Sequence, residues 1–256
     1  MKLPRLFLAV ITTLAATLLA SPASAAEKVY ELRTYTAPPG KTGELLARFR
    51  QHTLKIFERH GMVNVGYWVP MDEKDGSANK LIYLLEHKSR EAAKASWKSF
   101  GADPEWQDVN KKTTVNGKIV AKVESVFLAD TDYSKPMNAG KSSGSPRVFE
   151  MRTYTTPEGK LPNLDARFRD HTIALFAKHG ITNLGYFHPT DADKGSANTL
   201  LYFIAHKSRE AAAASFKAFR EDADWVKART ASEKDGKITA KVESVFLTPT
   251  DFSPLK

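Results

Sequence analysis

The stretch Val29-Tyr30-Glu31-Leu32-Arg33-Thr34-Tyr35 returns later in the chain as Val148-Phe149-Glu150-Met151-Arg152-Thr153-Tyr154. The offset is 148 − 29 = 119 residues, and further segments repeat at the same offset without a gap. The longest of them, AKVESVFL at 121–128, recurs unchanged at 240–247. Since roughly half of the aligned positions are identical, the chain holds two copies of one fold.

Each copy shows the same predicted order of elements. Alternating β-forming residues indicate strands, helical spacing of apolar residues indicates the helices, and a glycine or a serine marks their caps. The order β-α-β-β-α-β is that of a ferredoxin-like unit, whose antiparallel sheet carries helices on one face. In the first copy the predicted strands are 29–36, 62–70, 80–87 and 119–128, and the predicted helices are 42–60 and the segment that Ser89 caps.

A sheet with helices on one side leaves its other face to be covered. Two such units in one chain can cover each other, so we predict an α+β protein whose two ferredoxin-like units pack sheet to sheet around a cavity. The predicted domains are 27–134 and 147–256. The Gly-, Ser- and Pro-rich segment 135–146 between them is typical of a flexible linker.

The composition is that of an ordinary globular protein. Of the 256 residues, 42% are hydrophobic and 26% are charged, and there is no cysteine, which excludes disulfides, thiol catalysis and thiolate metal sites. The formal net charge is +9, but Lys and Arg are interspersed with Asp and Glu. We therefore expect no nucleic-acid partner, since no concentrated basic face is present.

Residues 1–26 have the features of a cleaved signal peptide. Lys2 and Arg5 precede an apolar run, and Ala23 and Ala25 occupy the small positions before a cleavage site. The run is short for a membrane span, so we expect no stable membrane insertion. The sequence therefore predicts a periplasmic or secreted bacterial protein.

The first strand of each copy carries the candidate ligand-binding residues. Alternation puts Glu31, Arg33 and Tyr35 on one face, and the more apolar Tyr30, Leu32 and Thr34 on the other. We expect the apolar face to pack on the helices and the polar face to line the cavity, where Arg can bind an acidic ligand and Tyr can donate a hydrogen bond. Simple acid–base pairing within the strand is the alternative. The second copy repeats the polar set as Glu150, Arg152 and Tyr154.

Histidines and strand aromatics complete the candidate site. His52 and His171, on the first helix of each copy, are candidate general bases, with hydrogen-bonded packing as the alternative. Trp68 and Phe187 are candidates for an apolar wall of the cavity, or for contacts that join the two sheets. No metal site is predicted, because no His or carboxylate cluster has ligand spacing. No cofactor is predicted, although haem ligation by a lone histidine stays open. Missing sequence motifs disfavour nucleotide-dependent enzymes and serine hydrolases.

Three blocks of this sequence resemble the NIPSNAP family: the first strand of each copy, the segment FERHG at 57–61 followed by GYW at 66–68, and LIYLL at 81–85 followed by SREA at 89–92. The resemblance implies the dimeric α+β barrel fold, here formed within one chain. It implies no catalytic residues, since none is general to the family.

Three functions remain open at this point. The first is binding of a small organic molecule in the cavity between the repeats. The second is a cofactor-free monooxygenase or isomerase acting on an aromatic or acidic metabolite. The third is a non-enzymatic interaction module, and further homo-oligomerisation is compatible with each.

Overall fold

The computed structural model describes residues 27–137 and 147–256. The predicted signal peptide and residues 138–146 of the predicted linker lie outside the described residues. Repeat 1 contains β1 (Val29–Thr36), α1 (Thr42–Arg48), α2 (Leu54–Arg59), β2 (Val63–Pro70), β3 (Lys80–His87), α3 (Arg90–Ala102), α4 (Pro104–Thr113) and β4 (Lys122–Asp130). Repeat 2 contains β5 (Val148–Thr155), α5 (Leu161–Arg167), α6 (Ile173–Lys178), β6 (Thr182–Pro189), β7 (Thr199–His206), α7 (Arg209–Glu221), α8 (Ala223–Ser232) and β8 (Lys241–Pro249).

Two helical features differ from the sequence prediction. The first helix of each repeat contains a π-helical turn, at Phe49–Thr53 and Phe168–Thr172. The second predicted helix is two helices, α3 and α4, because Asp103 is extended and its side chain caps α4, with Pro104 at the first position of that helix. Repeat 2 breaks at the same place with Asp222 as the cap but without a proline.

The eight strands form one closed antiparallel barrel in the order β1-β3-β2-β8-β5-β7-β6-β4. Two short ladders join the repeats: Trp68–Pro70 of β2 pairs with β8, and Leu128–Asp130 of β4 pairs with β6. The predicted fold, two ferredoxin-like units packed sheet to sheet as an α+β barrel within one chain, is confirmed. Closure buries the inner sheet face and leaves the helices outside.

Aromatic and aliphatic side chains occupy the barrel interior. Trp68 stacks on Phe203 with ring centroids 5.2 Å apart and lies 5.7 Å from Phe149, while Phe187 contacts Tyr30 edge-on at 5.0 Å. All five rings are fully buried. Such contacts make the interior a hydrophobic core of its own, distinct from the core under each of the two helical layers.

The predicted orientation of β1 and β5 is wrong. Tyr30 and Leu32 point into the barrel, whereas Glu31, Arg33 and Tyr35 lie on the helix-covered face, and Glu150, Arg152 and Tyr154 do the same. Alternation separates the two sets but does not say which set faces inward. Inside the closed barrel a charged group would lose its hydration, while the helix-covered face provides hydrogen-bond partners and partial access to water.

Ion pairs join the helical layers of the two repeats. Arg90 in repeat 1 bonds Asp191 in repeat 2 at 3.0 Å, and Arg209 in repeat 2 bonds Asp72 in repeat 1 at 2.6 Å. These pairs are partly exposed, so each contributes little to stability. Each pair does, however, neutralise one arginine of the helical layer. Within the described ranges, no helix has the length and apolar character that a membrane crossing requires.

Candidate functional site

A buried carboxylate lies between β1 and α3 in repeat 1. Glu31 is 1% exposed and accepts four side-chain hydrogen bonds. Arg33 Nη1 and Ser125 Oγ donate to its Oε1, each at 2.6 Å. His87 Nε2 and Trp97 Nε1 donate to Oε2, at 3.0 and 2.7 Å. Each carboxylate oxygen therefore has two donors.

These donors determine the charge state of Glu31. Burial by itself disfavours a charged carboxylate, but hydrogen bonding from His87, the charge of Arg33 and hydrogen bonds from Ser125 and Trp97 outweigh it and lower the pKa of Glu31 to about 2. Glu31 is therefore ionised at neutral pH and acts only as an acceptor.

Repeat 2 contains the same arrangement with one donor fewer. Arg152 Nη1 and Ser244 Oγ donate to Oε1 of Glu150, and His206 Nε2 donates to Oε2 at 2.9 Å. The position that Trp97 occupies in repeat 1 is Phe216 here (97 + 119 = 216), which has no polar atom. Among the described residues, Oε2 of Glu150 therefore has one donor where Oε2 of Glu31 has two.

The remaining nitrogens of Arg152 are held by two tyrosines. Nε donates to Tyr202 Oη at 2.9 Å, and Nη2 donates to Tyr154 Oη at 3.2 Å. The guanidinium also lies 4.9 Å from the ring centre of Phe216. Strand β5 and its neighbour β7 thus fix Arg152 in one orientation beneath α7, with bonds at every guanidinium nitrogen.

The sequence prediction missed His87 and His206 as partners of the two glutamates. In the barrel, Val29 lies opposite His87, and Val148 lies opposite His206. Directly opposed residues of paired strands lie on the same face of the sheet, and so do residues two positions apart in one strand. His87 therefore lies on the same face as Val29 and Glu31. Strand alternation alone does not predict this contact, because the register between the paired strands must also be known.

A hollow of about 410 Å³ lies beside Glu150, along one face of α7. Ser208 caps α7 by accepting a hydrogen bond from the Ala211 backbone at 3.1 Å. The helical spacing then brings one face of α7 to the hollow. Its lining consists of Glu150, Arg152, Arg209, Ala212, Ala213, Phe216, Arg220, Ser244 and Phe246.

A second cavity of about 180 Å³ shares Arg152, Phe216 and Arg220 with this hollow and extends toward the π-helical turn of repeat 2. It is predominantly aromatic and contains no carboxylate. Its other lining residues are Tyr154, Arg167, Phe168, Thr172, Phe176, Phe219, Trp225 and Arg229. We call the two cavities together the repeat-2 pocket.

Five arginines and one glutamate line the repeat-2 pocket. Arg152 is paired with Glu150, Arg167 with Glu233 at 2.9 Å, and Arg209 with Asp72. Within residues 27–137 and 147–256, no carboxylate lies within 4 Å of the guanidinium groups of Arg220 and Arg229. The pocket therefore has an excess of positive charge beside an aromatic surface.

The corresponding hollow of repeat 1, about 520 Å³, has a different balance of charge. Two cations, Arg90 and Lys94, face two carboxylates, Glu31 and Glu91, and Trp97 and Phe127 complete the lining. The residues at the positions of Arg220 and Arg229 are Gly101 and Asn110. The two repeats are alike in fold but differ in the charge of this surface.

The structure separates the other predicted site residues from this network. Trp68 and Phe187 lie in the barrel interior, and His52 and His171 lie in the π-helical turns, half-buried and exposed respectively. Neither histidine lines any of the three cavities described above. Hence neither candidate general base lines a cavity with Arg152. Across the described ranges, no group of three or more His, Asp or Glu side chains is arranged to hold a metal ion.

The fold and the paired sites define a two-repeat dimeric α+β barrel, with one sheet–helix network in each repeat. The NIPSNAP family model matches residues 30–135 and 149–254, and the chain belongs to the NIPSNAP family.

Two relatives and one solved structure are similar to this chain. Protein NipSnap homolog 3B of Mus musculus is 25% identical over 228 residues, which is 89% of this chain and 85% of the relative. Protein NipSnap homolog of Dictyostelium discoideum is 27% identical over 186 residues, 72% of this chain and 71% of the relative. An anthrone oxidase-like protein of known structure is 14% identical, covers 90% of this chain and 94% of its own, and superposes with a TM-score of 0.55. At that identity the likeness concerns the fold alone.

Proposed function

We propose that this protein binds a small organic anion in the repeat-2 pocket. The observation that supports this is the pair Arg220 and Arg229, two exposed arginines without a carboxylate partner among the described residues, beside an aromatic cavity. Guanidinium groups bind carboxylates through paired hydrogen bonds, and aromatic walls accept an apolar body. The site differs from the cavity between the repeats predicted from the sequence, because that interior is occupied by the barrel core.

Binding of organic acids by the full-length mature chain tests the proposal. Titration calorimetry with benzoate and cyclohexanecarboxylate, and with neutral benzamide, is expected to give one site that takes the acids and rejects the amide. The double variant R220G/R229N gives the pocket the repeat-1 residues and is expected to weaken binding at least tenfold. R90A removes a similar charge from repeat 1 and serves as the control. Equal binding of acids and amide contradicts the proposal.

An enzymatic function is the second candidate. It is favoured by the buried pair Glu150–His206 at the pocket, and the anthrone oxidase-like neighbour has the same fold. Against it, hydrogen bonding and the charge of Arg152 outweigh burial and lower the pKa of Glu150, which makes this carboxylate a weak base. Oxygen uptake with anthrone as the substrate tests it. Uptake that requires Glu150 would favour an oxygenase over a binding protein.

Action outside the cytoplasm is part of the same proposal and rests on residues 1–26. N-terminal sequencing of the protein recovered from the periplasm or the medium tests it. A mature chain that begins near residue 26 or 27 is the expected result, and an uncleaved cytoplasmic chain contradicts it.

A further inference from the structure

The two buried glutamates differ by one hydrogen bond, and that difference lies at the pocket. In repeat 1 the indole of Trp97 donates to Oε2 of Glu31 at 2.7 Å. In repeat 2 the side chain at the equivalent position is Phe216, and Oε2 of Glu150 keeps His206 as its donor among the described residues. The other donors, an arginine, a serine and a histidine, are the same in both repeats.

The missing donor leaves a buried acceptor at the wall of the hollow. Glu150 is 1% exposed and lines the 410 Å³ cavity. A buried carboxylate oxygen is stabilised by each donor that reaches it, and it gains nothing from a ligand group that only accepts. Repeat 1 shows a donor that suits this oxygen, the N–H of a planar aromatic ring, which Phe216 lacks in repeat 2.

We propose that the ligand of the repeat-2 pocket is an aromatic acid with an O–H or N–H group, which donates to Oε2 of Glu150 as the Trp97 indole does to Glu31, while its acidic group binds Arg220. This inference rests on the proposed function and specifies the ligand class. Phenolic and indolic carboxylates meet the requirement, because they combine a flat apolar ring, one donor and one anion.

The same carboxylate makes the pocket selective. An aromatic acid without a donor brings a second negative charge near Glu150 and offers no hydrogen bond in return. A site built around a buried polar group discriminates strongly against ligands that leave that group unpaired. We therefore expect donor-bearing acids to bind at least tenfold more tightly than their methylated counterparts, in line with the strength of hydrogen bonds to charged groups.

Matched ligand pairs test this on the unmodified full-length chain, so the result does not depend on any variant folding. The probes are indole-3-carboxylate against 1-methylindole-3-carboxylate, and 4-hydroxybenzoate against 4-methoxybenzoate, measured by titration calorimetry. Tighter binding of the first member of each pair supports the inference. Equal binding of both members overturns it and leaves the proposed function standing, whereas failure of every acid overturns the proposed function itself.

The variant F216W is the structural test, since it gives repeat 2 the tryptophan of repeat 1. Its indole is expected to donate to Oε2 of Glu150 in place of the ligand, which should weaken indole-3-carboxylate binding at least tenfold and remove the difference within each pair. W97F makes the opposite exchange in repeat 1 and should leave binding unchanged. Undiminished selectivity in a folded F216W protein overturns the inference.

Discussion

Trp97 Nε1 donates a hydrogen bond to Oε2 of Glu31 over 2.7 Å, and this bond fastens α3 to the first strand of the barrel. The same indole lies 4.1 Å from the guanidinium carbon of Arg33 and packs edge-on against Phe57 at 5.2 Å. One side chain thus completes the partners of a buried carboxylate and covers its counter-ion. In repeat 2 Phe216 lies 4.9 Å from the Arg152 guanidinium and packs edge-on against Phe176 at 5.8 Å, but it has no N–H to donate to Glu150.

The substitutions W97F and F216W are expected to change the stability of the protein in opposite directions. W97F removes a donor from a buried charged acceptor and should lower the free energy of unfolding by about 2–3 kcal/mol. F216W adds a donor beside Glu150 and should raise the free energy of unfolding by about 1 kcal/mol. The gain is smaller because the larger indole ring must be accommodated in the space of a phenyl ring. Urea unfolding at pH 7 measures both. A loss in F216W as large as that in W97F would contradict this account of the two sites.

Stability should fall at acid pH because of Glu31. The pKa of Glu31 is about 2 in the folded protein, against 4.5 for an ordinary glutamate. The unfolded chain therefore takes up this proton at higher pH than the folded chain, and the contribution is complete above about pH 4.5 and lost between 4.5 and 2. The shift of 2.5 pH units corresponds to about 3 kcal/mol. Urea unfolding of the unmodified chain across this range should show the loss.

The variant E31Q provides the control for this pH dependence. Glutamine keeps the shape of the side chain but does not titrate, so the part of the acid-induced loss that belongs to Glu31 should disappear. Glu150 has a lowered pKa with similar causes and should continue to contribute in the same direction. An unchanged slope between pH 4.5 and 2 in E31Q would show that Glu31 is not the titrating group.

The sequence predicted the barrel because the 119-residue repeat and the element order are visible without coordinates. The limits of β1 and β3 were predicted correctly, at Val29–Thr36 and Lys80–His87. The site was harder to predict. Alternation assigns Glu31 and Tyr30 to opposite faces of the sheet, but both faces are buried, so burial does not show which one faces the barrel interior. Only the ladder register shows that His87 and Ser125 reach Glu31.

The charge of the repeat-2 pocket should be adjustable from repeat 1. Asp72 binds Arg209 through two hydrogen bonds, at 2.6 and 3.1 Å, and so neutralises one arginine of the pocket. D72N should therefore increase the affinity for indole-3-carboxylate about two- to threefold at low salt, the scale of a partly exposed ion pair. The increase should shrink at high ionic strength.

The symmetric variant D191N is the control for this effect. It frees Arg90, which lines the hollow of repeat 1, and leaves the repeat-2 pocket unaltered. Its affinity for indole-3-carboxylate should equal that of the unmodified chain. A similar gain in both variants would mean that the ligand responds to net charge rather than to Arg209.

Variants in the barrel interior separate the pocket from the cavity between the repeats. F187A removes a fully buried ring that contacts Tyr30 and should cost about 3–5 kcal/mol of stability. W68F should cost only about 1 kcal/mol, because the buried Trp68 indole N–H has no hydrogen-bond partner in the described part of the chain, so losing it offsets part of the lost packing. Thermal unfolding measures both. Each folded variant should bind indole-3-carboxylate as the unmodified chain does, because neither residue lines the repeat-2 pocket; weakened binding in W68F would instead place the ligand inside the barrel.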